Sequence, residues 1–398
     1  GTFLSASAGW VFTSENFMSG TKDWFDFGKL RVSYGELGNE RINGYYPYQT
    51  TLTPAYSVGY IGNTVTSLPG YSQTAAVVRD LTWETTTTYD VGVDLTFLKN
   101  RLSLTADYYY KRTDDMLLTV PIAPIIGLSD PYDNVGTMNT RGWEITLGWR
   151  DRIGKVEYSV SGNFSYNKNK VDKYNGEYTK TWVEDPNNTL TGGKWTDNIG
   201  DVSSGGNTPV VEGHMLNEYR YRSVYKGNGK YFNADGSVNP AGGPKGGMIR
   251  TEEDMNWVKA MMDAGYKFKP GNSIGKANIY YGDYIYADVN GDGVYGDSDD
   301  EEFQGRSKTP KYNFGFQASA AWNGFDISMV WAGAAGFDIY WGPTAGYNAA
   351  KTEWGNNIAQ RIADDHYFYD PSNPDDPRTN INGKYPRMTY LDGNVQNN

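Results

Sequence analysis

The sequence contains no cysteine, only two histidines, and fewer cationic than anionic side chains. Without cysteine there is neither a disulfide framework nor a thiolate metal site. His214 and His366 lie far apart in sequence, so no histidine pair has metal-ligand spacing. Gly-x-Ser-x-Gly and phosphate-cradling glycine loops are missing too. Carboxylates are plentiful, but no pair stands out as a glycosidase couple, and the chain is expected not to be an enzyme. The formal charge of −11 lacks the basic footprint that nucleic acid requires. An acidic surface suits neutral or cationic ligands and divalent cations, or serves solubility alone. No stretch approaches the roughly 18 apolar residues of a transmembrane helix. The opening "GTFLSASAGWVF" has no basic start and does not read as a signal peptide. A mean hydropathy of −0.64 still allows a membrane protein built of strands, because only alternate residues of a barrel strand face lipid.

What is present is tyrosine, tryptophan and glycine: 33, 12 and 48 among 398 residues, a composition suited to strands joined by polar loops. Period-two alternation confirms the strands. Tyr89, Val91, Val93, Leu95 and Phe97 alternate with polar residues or glycine. After Lys99-Asn100, the alternating set is Leu102, Leu104, Ala106, Tyr108 and Tyr110. Trp143 to Trp149, Val156 to Tyr166, and Tyr312 to Trp322 repeat the pattern, and Asn323-Gly324 then makes a hairpin into Phe325 to Trp331. Less regular strands lie near Phe3–Phe12 and Phe25–Gly35. The total is about eight.

Alternation alone also fits a soluble sandwich, so connection lengths decide. Links near Lys99, Asp151 and Asn323 are short, whereas those near 36–80, 111–140 and 167–310 are long. Short turns at one end and long loops at the other mark a transmembrane antiparallel barrel. Trp10, Trp83, Trp143, Trp149, Trp322 and Trp331 sit at strand ends, as interfacial girdles do. The insertion 167–310 is too long to lack structure. Within it, Thr251 is placed to cap a helix with Asp254 reaching back, and Gly265 to end it. A second helical insertion is expected from Thr344.

Several stretches resemble the SusC-like (SusC/RagA) TonB-dependent outer-membrane transporters. "DLTWETTTTYDVGVDLTFLKNRLSLTADYYYKRTDDMLL" resembles the family's Leu-x-Trp-Glu strand, Asn-Arg-Leu hairpin and Asp-Tyr-Tyr strand. "NVGTMNTRGWEITLGWR", "GDYIYADVNGDGVYGDSDDEEFQGRSKTPKYNFGF" and "KYPRM" resemble further family segments in the same order. "EGHMLNEYRYRSVYKG" departs from its counterpart at Met215, Asn217 and Arg220. The matches run from about Leu81 to Pro386. The resemblance implies an all-β chain, part of a 22-stranded plugged barrel in the outer membrane of a Gram-negative bacterium. The plug is not recognisable, so an internal barrel portion is expected across 1–398. The resemblance also implies import of oligosaccharides or oligopeptides, a SusD-like surface lipoprotein, and energy from a TonB-type complex. The rivals are a siderophore- or haem-type receptor and a secreted glycan-binding adhesin; detergent dependence separates the adhesin from the transporters.

Two sets of candidate site residues follow from the residues themselves. "DVNGDGVYGDSDD" fits an EF-hand-type calcium loop, with Asp288, Asn290 and Asp292 at positions 1, 3 and 5. Gly293 takes the sharp turn, Val294 offers its carbonyl, and Asp299 closes the loop, with Asp297 and Asp300 able to exchange roles with it. A solvated acidic turn is the alternative. For ligand, Tyr45, Tyr46, Trp182, Trp195 and Trp257 lie in the long loops, where aromatic faces stack on sugars or grip peptides. Packing among the loops is the competing role for each.

Overall fold

The alternating segments form eight antiparallel strands. They are β1 (Ser5–Trp10), β2 (Phe25–Asn39), β3 (Glu84–Phe97), β4 (Leu102–Asp114), β5 (Thr137–Ile153), β6 (Val156–Lys173), β7 (Tyr312–Trp322) and β8 (Phe325–Ala335). The structure is a computed structural model and describes residues 1–41, 49, 52–61, 64–73, 76–78, 80–122, 124–203, 206–269, 271–339 and 359–388. In the sheet each strand pairs with its successor in the chain, an up-and-down order. Among the described residues, β1 and β8 each pair on one side only.

Turn chemistry explains the short connections. Leu98, Lys99 and Asn100 all have φ near 60°, and the Asn100 N–H donates to Asp26 at 2.9 Å. Asn323 and Gly324 also adopt positive φ, 48° and 89°, as a two-residue hairpin requires. The strands run further toward the long loops than alternation indicated: β6 continues to Lys173, so the insertion starts seven residues later than expected. A strand of 14 residues such as β3 rises about 46 Å, which at a tilt of about 45° still spans about 33 Å, enough for a hydrocarbon core of about 30 Å.

The sheet has one apolar and one polar face. Tyr89, Val91, Tyr108, Leu147, Phe316 and Met329 are each more than 40% exposed on the apolar face. So large an apolar surface left open is foreign to a soluble sandwich and suits lipid. On the polar face Arg31 of β2 donates to Asp94 of β3 at 2.8 Å and pairs with Asp107 of β4 at 2.8 Å. Ser159 and Ser319 hydrogen-bond across β6 and β7 at 2.7 Å.

The chain divides into two compact units. The first holds residues 1–178, 199–218 and 305–338, hence the sheet; the second holds 179–198, 219–304 and the chain after 338. The second unit contains the buried cluster of Ile249, Met255, Trp257, Val258, Met261, Phe268, Ile279, Ile285 and Tyr295. Its helix, Glu252–Asp263, starts as expected: Thr251 accepts from the Asp254 N–H while Asp254 accepts from that of Thr251. Gly265 ends it at φ 101°. Asp283, fully buried, is held by Arg387 at 2.7 and 2.9 Å. Of the helix expected from Thr344, residues 344–358 lie outside the described residues; the described part carries a six-residue helix, Gln360–Asp365. Three hairpins were not anticipated: Leu52–Ile61 with Thr64–Gln73, Leu117–Thr119 with Tyr132–Asn134, and Lys180–Glu184 with Gly193–Asp197.

Candidate functional site

The acidic loop of the second unit is held by its own backbone. Asp288 accepts the N–H groups of Gly291, Asp292 and Gly293 at 2.6, 3.2 and 2.9 Å. Gly293 has φ 86°, a backbone conformation that favours glycine. Asn290 accepts from Asp292 N–H at 2.9 Å, and Asp292 from Val294 N–H at 2.8 Å. Asp299 does not turn inward; its Oδ2 lies 2.9 Å from Lys194 Nζ. The inward carboxylate is Asp300, fully buried and accepting from Val289, Asn290, Gly296 and Asp297. Burial outweighs these donors and pushes its pKa up to about 6. Burial likewise raises Asp288 and Asp297.

The donor set therefore fits calcium only in part. Asp288, Asn290 and Asp292 are neighbours, but Asp299 is committed to an ammonium group. Among the described residues no three His, Cys, Asp or Glu side chains are arranged to hold a metal ion. Sequence spacing could not reveal Lys194, because it arrives from a hairpin more than a hundred residues away.

That hairpin, Lys180–Glu184 with Gly193–Asp197, places Trp182 directly opposite Trp195. The rings meet edge to face, with centroids 5.7 Å apart and an interplanar angle of 70°. The two are 38% and 48% exposed. The Trp195 N–H donates to the Asn290 carbonyl at 2.7 Å, which fixes the hairpin against the acidic loop. Two of the aromatic candidates thus share one open corner of the hairpin. Trp257 does not join them. It is fully buried, stacks on Tyr225 at 5.6 Å and donates its indole N–H to the Asn239 carbonyl at 2.9 Å. Its position on the inner face of the Thr251-capped helix makes it core, closed to any ligand. Tyr45 and Tyr46 lie outside the described residues.

In the first unit, Glu218 ties the long connection at its base. One oxygen accepts from Met215 N–H at 2.9 Å and lies 3.3 Å from His214 Nδ1, and the other accepts from Gly305 N–H at 2.7 Å. The polar face of the sheet also carries a cavity of about 620 Å³ at the short-turn end, bordered by Arg101, Arg150, Asp151, Glu157, Ser159 and Ser319. Arg101 and Asp151 are paired at 3.3 Å. None of these groups forms a nucleophile–base couple.

The family model described as "TonB dependent receptor-like, beta-barrel" matches residues 2–251. TonB-dependent receptor P39 of Formosa agariphila is 36% identical over 172 residues, covering 43% of this chain and 16% of its own length. TonB-dependent receptor P3 of the same organism is 24% identical over 401 residues, with 98% of this chain and 33% of its own length covered. TonB-dependent receptor SusC of Bacteroides thetaiotaomicron is 29% identical over 242 residues, 58% of this chain and 22% of that protein. Among solved structures, the RagAB peptide importer in its open-open state superposes with a TM-score of 0.59 at 20% identity, over 98% of this chain and 34% of the other. The last likeness concerns the fold. The chain spans no more than a third of the length of the curated relatives cited.

Proposed function

The chain belongs to the TonB dependent receptor-like β-barrel family of the outer membrane, and on that premise we propose that it is wall and extracellular loops of a SusC-like importer of oligosaccharides or oligopeptides. The observation that carries this reading is the sheet: an open apolar face, a polar opposite face, short turns at one end and long loops at the other. Such a wall takes no part in covalent chemistry. It encloses a path, and uptake is driven by a TonB-type complex acting elsewhere on the transporter.

Trp182 and Trp195 are our candidates for substrate contact. Their open corner offers ring faces and edges to a sugar or a peptide side chain. A SusD-like surface lipoprotein is proposed to cover the long loops. Calcium is retained as a structural ion of the loop base, held by Asp288, Asn290, Asp292, the Val294 carbonyl and Asp299 once Lys194 has left it. It supplies loop order and no reaction step.

The test excises residues 221–302. Arg220 and Phe303 are cross-strand partners, so a short linker joins the ends without strain. The intact transporter lacking this segment is expected to assemble in the outer membrane yet lose co-purification of the lipoprotein and uptake of glycans or peptides from a panel. Undiminished co-purification and uptake would sink the proposal.

A further inference from the structure

The register across the strands brings together an unneutralised cation cluster on the apolar, lipid-facing side. One cross-strand row at the long-loop end runs Tyr34, Tyr89, Tyr110, Arg141, Lys168, since Tyr34 pairs with Tyr89, Tyr89 with Tyr110, Tyr110 with Arg141, and Arg141 with Lys168. The row below it is Val91, Tyr108, Trp143, Tyr166 and Tyr312. The upper row is thus aromatic on β2 to β4 and cationic on β5 and β6. Lys170 is the next residue of β6 on the same face. Arg141, Lys168 and Lys170 are all exposed.

Like charges directly opposite one another across an antiparallel pair are destabilising, because their Cβ atoms are only about 4.5–5.5 Å apart. Arg141 and Lys168 stand in that relation, and among the described residues neither they nor Lys170 has a carboxylate partner. The acids nearest on this face are already engaged. Asp114 pairs with Arg112 at 2.9 Å and accepts from Thr137, and Asp172 accepts from Asn139 at 2.6 Å. The Arg141 guanidinium lies 5.4 Å from the Tyr110 ring centre, which orients it without neutralising it. Below the cations begins the apolar band, so an anion seated here has hydrocarbon beneath it and water above.

We propose that Arg141, Lys168 and Lys170 bind the phosphate of an outer-leaflet lipid headgroup, whose acyl chains lie down the apolar face along Trp143, Ile145 and Phe164. The site goes beyond transport: it anchors an anionic lipid to one stretch of the wall, at β5 and β6. It rests on that face meeting lipid, which the detergent dependence of the intact protein tests separately.

The experiment uses the intact transporter in non-ionic detergent and titrates diphosphoryl lipid A, its dephosphorylated form, and inorganic phosphate, with native mass spectrometry as the readout. Arg141→Gln, Lys168→Gln and Lys170→Gln are each expected to weaken diphosphoryl lipid binding about fivefold, and a double variant about 30-fold. Lys99→Gln with Lys155→Gln, at the short-turn end, is expected to leave binding unchanged. Removing either member of the opposed pair should also raise thermal stability in lipid-free detergent, a gain that misfolding cannot produce. Binding of the dephosphorylated lipid as tight as that of the diphosphoryl form would overturn the proposal, as would full displacement by inorganic phosphate. Wild-type affinity in all three variants would overturn it too.

Discussion

Leu147 and Thr146 are adjacent in β5 and point to opposite faces of the sheet, which makes them a direct test of the membrane reading. Leu147 is 50% exposed and lies between Leu104 of β4 and Gly162 of β6, two rows below the aromatic row of Tyr108, Trp143 and Tyr166. That places it near the middle of the apolar band. Thr146 lies opposite Thr105 and Asn163, on the face where Arg31, Asp94 and Asp107 form ion pairs. An arginine facing lipid near the midplane costs about 2–4 kcal/mol, or about 30- to 900-fold in the folding equilibrium. At Thr146 the same side chain meets polar groups and the carboxylates nearby, and the penalty should be well under half as large. The assay is urea unfolding of the intact transporter in detergent, with gel heat-modifiability reporting assembly. Leu147→Arg is expected to lower the midpoint strongly and Thr146→Arg little. Equal penalties, or a larger one at Thr146, would refute the assignment of faces.

Other consequences are specific to the loops. Lys194→Ala removes the cation from Asp299, so calcium should bind the acidic loop more tightly and protect residues near 282–305 from protease, with chelation reversing the effect; no change on either treatment leaves the loop a self-bonded acidic turn. Trp257→Ala should cost the second unit about 3–5 kcal/mol, since it removes the largest fully buried side chain among the described residues, and proteolysis should rise within 219–304 while heat-modifiability of the barrel stays constant. Burial raises the pKa of Glu218, but His214 and the N–H groups of Met215 and Gly305 outweigh it, and the net shift is downward. Its contribution is therefore full above the ordinary glutamate range near pH 4.3 and is lost as pH falls through the depressed value. Glu218→Gln should loosen the loop base at pH 7, read by hydrogen exchange at Gly305, and flatten the acid dependence seen in the wild type.

The barrel wall was legible because its period of two is written into single strands: Tyr89 to Phe97 and Tyr312 to Trp322 declare their apolar face without reference to neighbours. Which polar partner an inward residue finds is a matter of register, which alternation does not carry. Alternation turns Asp94 to the interior, and register puts it against Arg31, so replacing it would break an ion pair as well as test a face. The loops hide more, because they close through contacts distant in sequence. Trp182 and Trp257 look alike as loop tryptophans. One sits on an exposed hairpin, and the other is turned into the core by the helix that Thr251 caps. Placing Trp257 on that helix beside Met255, Val258 and Met261 was enough to mark it as core, since together they form one buried stripe. The cap at Thr251 sets the phase of the helix, and Trp257 lies less than two turns beyond it. For Asp299 and Asp300 no such signal exists. Adjacent and chemically identical, they are separated only by Lys194 and four backbone N–H groups, which sequence spacing does not place. The same limit makes the opposed pair Arg141 and Lys168 informative: only pairing reveals it, and pairing leaves its charge to be answered from outside the chain.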